Sequence, residues 1–328
     1  MLLAGDIGGT KTRLAVFSSI AELRTPLLEK TFPSAHYSSL EALVQEFLTQ
    51  GNVPSIQQAS FGVAGPILDG TAKITNLPWT MNEENLRHTL QIPSVHLLND
   101  LDAMAHAVPL LQTADLYTLN EGQPERHGTL AVIAPGTGLG EAFLLWDGTA
   151  YQSRPSEGGH TDFAPTDPMQ VELLGYLLKQ FEHVSYEQVI SGRGITHIYN
   201  FLKQIGTYHE PPRLAEQLAA AADPAPIIAQ AALSQEEGCE LCIATLKLFA
   251  AVLGAETGNL ALKVLATGGV YIGGGIPPRI LSYLDSEDFM RAFHNKGRFS
   301  EMLSHVPVHV ILNPDVALMG AAAHGFGL

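Results

Sequence analysis

Apolar and polar positions follow two different patterns along the chain. Short apolar runs bounded by glycine, proline or asparagine predict buried strands, at residues 1–4, 59–64, 95–98, 130–134, 263–272 and 308–312. Apolar residues spaced three and four positions apart predict helices, at residues 40–48, 101–111, 171–181 and 227–262, with a short helix from 314 onward. Because strands alternate with helices, the pattern predicts an α/β layer architecture.

The first strand leads into a glycine-rich turn, Gly5-Asp6-Ile7-Gly8-Gly9-Thr10, after which residues 12–17 alternate as a second strand. Glycines in a turn let backbone N–H groups approach an anion. Asp6, Thr10 and Lys11 add a carboxylate, a hydroxyl and a cation, a set that suits nucleotide phosphates and a metal. The segment is not a P-loop, because Thr10 precedes Lys11 and no helix follows. A purely structural turn is the alternative interpretation.

A second hairpin with the same plan lies near residue 130. A strand at 130–134 enters the turn Pro135-Gly136-Thr137-Gly138-Leu139-Gly140, and residues 142–146 predict a second strand. The recurrence predicts two related halves, each with a phosphate-facing hairpin, that hold a nucleotide between them. An ordinary hairpin without a ligand is the alternative.

Three further segments carry polar or glycine-rich chemistry. Residues 155–165 combine carboxylates, a histidine and two glycines that can grip a polyol, although each polar residue there can also be a solvated or structural loop residue. Ser185 and Gln188 match a capping box, which places Glu187 in the first turn of a predicted helix. Glycines at 273–275 lie between a strand and a helix start, as an open shelf for a flat base or as a simple turn.

Composition narrows the function classes. A chain of 328 residues predicts two domains, and a net charge of −15 without a Lys/Arg cluster argues against nucleic acid and against an anionic membrane surface. We expect no signal peptide, since the first glycine turn begins at residue 5, and no apolar run long enough to span a membrane. Cys239 and Cys242 are expected to be core-facing thiols, with redox or metal roles as alternatives, and the whole profile suits a reducing cytoplasm.

Seven motifs together resemble one family. They are GDIGGT at 5–10, LLND at 97–100, GTGLG at 136–140, EGGHTDFAP at 157–165, HVSYEQVISG at 183–192, GGVYIGGGIPPR at 268–279 and FHNKGRF at 293–299. In this order they resemble the bacterial ATP-dependent glucokinases of the non-zinc type, within the hexokinase/actin-like superfamily. The related repressor-type sugar kinases carry a zinc-binding, Cys-rich motif after their Glu-x-Gly-His, and this chain has no such cysteines.

The resemblance implies a fold, a reaction and a domain division. The fold is α/β, a two-domain actin-like ATPase (ribonuclease H-like) fold with a cleft between a small domain (1–110 plus 313–328) and a large domain (111–312). The reaction is transfer of the γ-phosphoryl group of MgATP to the 6-hydroxyl of D-glucose, giving glucose 6-phosphate and ADP. It also implies a cytoplasmic homodimer that uses ATP and Mg²⁺ and no zinc.

The resemblance also implies roles for individual residues. Asp100 would be the general base, and a strand end is where open α/β sheets place such groups. The glucose hydroxyls would be held by Asn99, Asp100, Glu157, His160 and Glu187. The nucleotide would be bound by Gly5, Asp6, Ile7, Gly8, Gly9, Thr10, Thr137 and Gly138 at its phosphates, with Asp6 acting toward Mg²⁺ through water, and by Gly274 and Gly275 at its adenosine.

Two departures and three alternatives remain open. Lys11 stands where many relatives have asparagine and Arg193 where proline is usual, and both add positive charge near the expected ligand loops. A kinase for mannose, glucosamine or an N-acetyl amino sugar would keep the same mechanism. A sugar-responsive regulator would need a DNA-binding module of ~60 residues before the first glycine turn. A non-kinase actin-like ATPase would have no reason to combine Asn99-Asp100 with Glu157 and His160.

Overall fold

The computed structural model describes residues 1–51, 55–74, 77–234 and 238–328. Its strands are β1 (Leu2–Ile7), β2 (Lys11–Phe17), β3 (Leu28–Pro33), β4 (Gln58–Val63), β5 (Ile67–Leu68), β6 (Thr71–Lys73), β7 (Thr80–Asn82), β8 (Ser94–Asn99), β9 (Leu116–Asn120), β10 (Leu130–Pro135), β11 (Leu139–Trp146), β12 (Tyr151–Ser156), β13 (Gly269–Ile272) and β14 (Val308–Ile311). Its α-helices are α1 (Leu40–Thr49), α2 (Glu83–Leu90), α3 (Asp100–Ala107), α4 (Pro168–Leu177), α5 (Gly192–Ile205), α6 (Pro212–Ala220), α7 (Ala225–Leu233), α8 (Glu240–Val264), α9 (Leu281–Leu284), α10 (Glu287–His294), α11 (Ser300–Ser304) and α12 (Val316–Gly325).

The strands form three sheets with the orders β3-β2-β1-β4-β8, β12-β11-β10-β13-β14-β9 and β5-β6-β7. The chain divides into two compact units. Unit 1 comprises Met1–Asp115, Leu144–Pro155 and Asn313–Leu328, and unit 2 comprises Leu116–Phe143 and Ser156–Leu312. The α/β architecture predicted from the alternating pattern is therefore confirmed.

The central strands β1, β2 and β4 of the five-stranded sheet in unit 1 are largely buried on both faces. Its alternating residues fall into two cores: Leu3, Ile7, Leu14 and Val16 pack with α1, whereas Leu2, Ala4, Ala15 and Phe17 pack with α3 and α12. Strands buried on both faces lose the polar alternation of a half-exposed sheet, which is why these central strands are mainly apolar. Helix α1 begins at Ser39, whose hydroxyl accepts a hydrogen bond from the N–H of Ala42 at 3.3 Å.

Three parallel strands of unit 1 end at one edge of its sheet. Strands β1, β4 and β8 are parallel neighbours, with Ile7 opposite Val63 and Val63 opposite Asn99. The turn after β1 and the start of α3 after β8 are therefore at the same edge. Ligand-binding groups of open α/β sheets lie at this carboxyl edge.

Unit 2 is organised around α8, most of whose residues are buried and against which α5, α7 and α10 pack. By length and composition α8 is apolar enough to cross a membrane, and 72% of its most apolar 18-residue stretch is buried inside the protein. The expectation of no apolar run of that length is thus wrong for this helix, because its two glutamates and two lysines are too widely spaced to interrupt it. Its burial is that of a core helix.

Two predicted elements differ from the structure. The helix predicted at 227–262 is two helices, α7 and α8, and residues 235–237 lie outside the described part of the chain. The strand predicted at 263–272 begins only at Gly269, because α8 continues to Val264 and ends at Leu265, which has a left-handed φ of 50°. Apolar periodicity does not separate a buried helix end from a buried strand.

A histidine cluster in unit 1 is expected to make its stability depend on pH. The His324 ring in α12 lies 5.6 Å from that of His96 and 5.0 Å from that of His106. Burial, and then the two neighbouring histidines, lower the pKa of His324 to about 4. Between about pH 6.5 and that value the unfolded chain binds a proton that the folded chain excludes, so the free energy of unfolding falls as pH falls.

We expect this acid-induced loss to be about 2 kcal/mol from His324, because partial exposure of the ring screens part of the shift. Urea unfolding followed by tryptophan fluorescence would measure it, since both tryptophans, Trp79 and Trp146, belong to unit 1. In a His324→Gln variant the dependence between pH 6.5 and 4 should be shallower. An identical slope in variant and wild type would contradict the assignment.

Candidate active site

The first glycine turn is a tight hairpin tip supported from behind. The N–H of Gly8 donates to the carbonyl of Lys11 at 3.0 Å, which closes the turn between β1 and β2. Ser34, fully buried, donates its hydroxyl to the carbonyl of Gly8 at 2.7 Å and hydrogen-bonds Thr12 at 2.9 Å. Its N–H donates to the carbonyl of Thr10. The predicted strand–turn–strand arrangement is therefore present, with a serine from outside the motif holding the tip.

Asp6 lies among other carboxylates at this tip. Burial, and then the charge of Asp100, raise the pKa of Asp6 to about 6; Asp315 raises it further and Arg13 lowers it. Arg13 is paired with both Asp315 and Glu29. A cation would relieve this crowding of negative charge, so the donor set fits a hard divalent ion.

These carboxylates suit a metal ion that is held mainly by water and by substrate phosphate. Among the described residues, no group of three His, Cys, Asp or Glu side chains is arranged to ligate a metal. Mg²⁺ usually keeps several waters and takes one or two carboxylates together with substrate phosphates. The carboxylates of Asp6 and Asp100 are compatible with that mode and not with an all-protein metal cage.

Asn99 and Asp100 join β8 to α3. The side-chain oxygens of Asn99 and Asp100 both accept from the N–H of Leu101, at 3.0 and 2.9 Å, so the pair caps the helix. The amide of Asn99 donates to the carbonyl of Gly65 at 3.0 Å. Burial raises the pKa of Asp100, while the hydrogen bonds from the backbone and from Asn99 oppose the shift. Asp100 is thus a fixed carboxylate with a raised pKa at the carboxyl edge of the sheet.

In unit 2 two loops meet and bring three predicted residues together. The N–H of Tyr186 donates to the carbonyl of Thr161 at 3.0 Å, and the N–H of Phe163 donates to that of Val184 at 2.9 Å. These bonds join the loop that carries Glu157 and His160 to the loop that carries Glu187. The Nε2 atom of His160 lies 3.8 Å from Glu157 and 4.0 Å from Glu187. The three side chains form one polar cluster.

Glu187 also contacts the second glycine turn. Its Oε2 accepts from the N–H of Leu139 at 3.0 Å. Gly138 passes so close to this oxygen that a side chain there would collide with it. The predicted capping box is wrong: residues 186–188 form a short 3₁₀ turn, and the side chain of Ser185 makes no capping bond. Glu187 is held by the hairpin instead of serving a helix dipole.

The glycines of unit 2 that are predicted to bind the nucleotide lie at or beside the second glycine turn. The N–H of Gly136 donates to the carbonyl of Gly138 at 2.8 Å, which leaves Thr137 at the tip. Gly274 has a left-handed φ of 88° and packs against the carbonyl of Pro135, where no side chain fits. Gly275 has open space beside it. The turn and the predicted adenosine shelf are therefore neighbours.

Each unit collects part of the predicted set. Unit 1 holds Gly5, Asp6, Ile7, Gly8, Gly9, Thr10, Asn99 and Asp100, and unit 2 holds Thr137, Gly138, Glu157, His160, Glu187, Gly274 and Gly275. Lys11 and Arg193, the two departures from the family pattern, are both exposed.

Three residues with supporting roles were not predicted from the sequence: Ser34, Glu141 and Glu256. The last two carry a signal, since a glutamate inside an otherwise apolar strand or helix is rarely buried without a purpose.

Comparisons with known proteins agree with the resemblance. The sequence profile of the glucokinase family matches residues 3–326. Over 337 aligned positions the chain is 43% identical to the glucokinase of Trichormus variabilis, with 98% of each chain covered. The crystal structure of a glucokinase from an Antarctic psychrotroph has a TM-score of 0.86 at 34% identity and covers 100% of this chain and 99% of its own.

A more distant structure shows the shared fold. A ROK-family glucokinase from Streptomyces griseus, solved in complex with glucose and AMPPNP, has a TM-score of 0.67 at 19% identity over 99% of this chain and 98% of its own. The predicted two-domain actin-like ATPase fold is confirmed. With a profile match over nearly its whole length, the chain belongs to the glucokinase family.

Proposed function

We propose that the protein transfers the γ-phosphoryl group of MgATP to the 6-hydroxyl of D-glucose, with Asp100 as the general base. The observation that carries the proposal is the carboxyl edge of the unit 1 sheet. There, the partly buried carboxylate of Asp100, whose pKa burial raises, shares one edge with a glycine turn whose tip can receive phosphates. Membership of the glucokinase family supports glucose as the acceptor.

Asp100 removes the proton that makes a hydroxymethyl group a poor nucleophile. As the 6-oxygen forms a bond to the γ-phosphorus, its proton passes to the carboxylate, and the bond between the γ-phosphorus and the β,γ-bridging oxygen breaks to release ADP. The transition state of phosphoryl transfer is loose, so placement of the base matters more than its strength. The hydrogen bond from the N–H of Leu101 fixes the carboxylate, and the raised pKa brings it nearer to the working pH of a general base.

Asp6 is the side chain we assign to Mg²⁺, acting through bound water. When present, the metal neutralises charge on the phosphate oxygens. The chain itself supplies backbone N–H groups of Gly8, Gly9 and Thr10 and a turn that Ser34 holds in place. In unit 2, Thr137 and Gly138 are assigned to the phosphates, and Gly274 and Gly275 to adenosine.

Glu157, His160 and Glu187 are assigned to the sugar hydroxyls, together with Asn99. The Glu157 side chain is 87% exposed and thus free to accept hydrogen bonds from a ligand, whereas Glu187 is 22% exposed and already anchored at Leu139. Two carboxylates beside the Nε2 atom of one imidazole can orient several hydroxyls at once. We further propose that the predicted small and large domains are the functional divisions and that the protein acts as a cytoplasmic homodimer.

The test is ADP release from MgATP by the purified protein with glucose, mannose, glucosamine, N-acetylglucosamine or no sugar, with glucose 6-phosphate measured directly. Glucose-dependent release with an equal amount of glucose 6-phosphate would support the proposal. Preference for an amino sugar would change the substrate and keep the mechanism. ATP hydrolysis that ignores sugar would reject the kinase assignment.

A Glu157→Gln variant should chiefly weaken sugar binding. Removing the charge from a hydrogen-bond acceptor for glucose hydroxyls is expected to raise the KM for glucose roughly tenfold or more, with a smaller effect on kcat. Steady-state kinetics with glucose varied at saturating ATP would show it. Glu172→Gln, the same change at an exposed site on α4, should leave both constants unaltered, and an unchanged KM in Glu157→Gln would count against the assignment.

A further inference from the structure

Two buried glutamates that the proposed mechanism does not use lie directly behind the sugar-binding cluster. Glu141 of β11 is 1% exposed and Glu256 of α8 is 0% exposed. Glu256 accepts from the ammonium group of Lys263 and from the amide of Asn259, each at 2.8 Å. An ionised carboxylate is tolerated in a protein interior when it is paired and hydrogen-bonded in this way.

Glu141 lies beside Glu256 in surroundings that favour its protonated form. Burial, then the charge of Glu256, raise the pKa of Glu141; Lys263 opposes the shift, and the hydrogen bond between the two carboxyl groups adds to it. The Oε1 atom of Glu141 is buried and meets no hydrogen-bond donor among the described residues. A protonated carboxyl group of Glu141 donates a hydrogen bond through its O–H and so needs an acceptor instead of a donor. Glu256 supplies that acceptor, which explains why the Oε1 atom of Glu141 meets no donor in the described part of the chain.

The pair contacts both loops of the sugar cluster. The Oε2 atom of Glu141 packs against the backbone of Gly158, between Glu157 and His160, so tightly that a side chain at Gly158 would overlap it. On the other side, Asn259 donates to the hydroxyl of Tyr186 at 2.9 Å, and Tyr186 directly precedes Glu187. Lys296 donates to the amide oxygen of Asn259 at 2.7 Å and completes the network.

We propose that Glu141 and Glu256 are positioning residues that set the spacing of Glu157, His160 and Glu187 for the sugar. The inference rests on the proposed function of that cluster. Glu141 holds the first loop through Gly158, and Glu256 holds the second through Asn259 and Tyr186. Loss of the Glu141 proton would place two carboxylates side by side, and their repulsion would separate the loops. The charged or titratable groups that face the pair are Lys263, Lys296 and Tyr186.

Two substitutions at one position separate positioning from bulk stability. Glu141→Gln keeps the shape and a donor N–H toward Glu256 but cannot lose a proton, whereas Glu141→Leu keeps the volume and removes the donor. We expect Glu141→Leu to raise the KM for glucose about tenfold, with the KM for ATP within about twofold of wild type. Glu141→Gln should restore the wild-type KM for glucose at neutral pH to within about twofold.

The pH profile is the readout that a merely structural role would not change. From about pH 6 to 9, the wild-type KM for glucose should rise on the alkaline side as Glu141 loses its proton, and in Glu141→Gln this rise should be absent. Glucose titration by calorimetry would measure the same trend without turnover. If Glu141→Leu does not fold, Tyr186→Phe removes the hydroxyl at the other end of the network and should raise the same KM.

Glu210→Gln is the matched control, since Glu210 is a half-buried carboxylate of unit 2 that bonds Lys203 and Tyr199 of α5. It should lower stability without changing the KM for glucose. A wild-type KM in Glu141→Leu, or a wild-type pH profile in Glu141→Gln, would overturn the inference alone. Absence of glucose phosphorylation by the wild-type protein would reject the proposed function, and the inference with it.

Discussion

Replacing Asp100 with asparagine is expected to lower kcat by roughly 10²–10⁴-fold while glucose affinity stays within about tenfold of wild type. The asparagine side chain keeps an oxygen for the N–H of Leu101, so the start of α3 is preserved. It cannot accept the proton of the 6-hydroxyl. The change therefore removes the base and leaves the ligand contacts of the loop in place.

Steady-state kinetics and glucose calorimetry on the same preparation would separate the two effects. Asp102→Asn is the matched control, because it makes the same chemical change two residues further along α3. We expect its kcat to stay within about threefold of wild type. If Asp100→Asn kept a near-normal kcat, or if both variants lost activity equally, Asp100 would not be the general base.

Sequence alone located the elements whose signal is local. Both hairpins could be predicted because two-residue alternation and glycine turns are patterns of consecutive residues. The position of Asp100 at a strand end could be predicted, because an apolar run stops at Asn99 and Asp100. That the turn after β1 shares this sheet edge is shown by the pairing of β1, β4 and β8 in the structure.

The supporting residues could not be predicted because their partners are distant in sequence. Ser34 hydrogen-bonds to the turn at Gly8 although it lies 26 positions away in the sequence. The residues around Ser34 carry no pattern that indicates this contact. Glu256 belongs to a helix whose sequence is apolar enough to resemble a membrane span. Its role depends on a carboxyl group and an amide that only the tertiary structure brings to it. The capping box at Ser185 failed for the same reason, because tertiary bonds to the loop at Thr161 replaced a local helix start.

Unit 1 depends on a close helix crossing that the sequence shows only as a small-residue stretch. Helices α3 and α12 pack over the sheet face that carries Leu2, Ala4 and Phe17. At the crossing, Gly320 faces the backbone of α3. A β-carbon there would overlap the carbonyl oxygen of Ala103 and lie 3.0 Å from the amide nitrogen of Ala107. Both neighbours are backbone atoms of a helix, so no side-chain rotation can make room.

Gly320→Ala is therefore expected to destabilise unit 1, although alanine favours helices by about 1 kcal/mol over glycine. Overpacking against rigid atoms costs about 1–3 kcal/mol and sometimes more, and here it must force α3 and α12 apart. We expect a net loss of about 2 kcal/mol in the free energy of unfolding, measured by urea titration with tryptophan fluorescence, which reports on unit 1. Activity should fall as well, because α3 begins at Asp100.

Gly175→Ala supplies the opposite case within the same protein. Gly175 lies in α4 and is exposed, and a β-carbon added to it would meet no atom within 4 Å, so only the helix preference applies. Scanning calorimetry should show unchanged or slightly raised stability for this variant. Equal effects of the two substitutions would mean that the α3–α12 crossing relaxes freely. A loss confined to Gly320→Ala would establish that the helix that positions the proposed base is fixed by backbone contact.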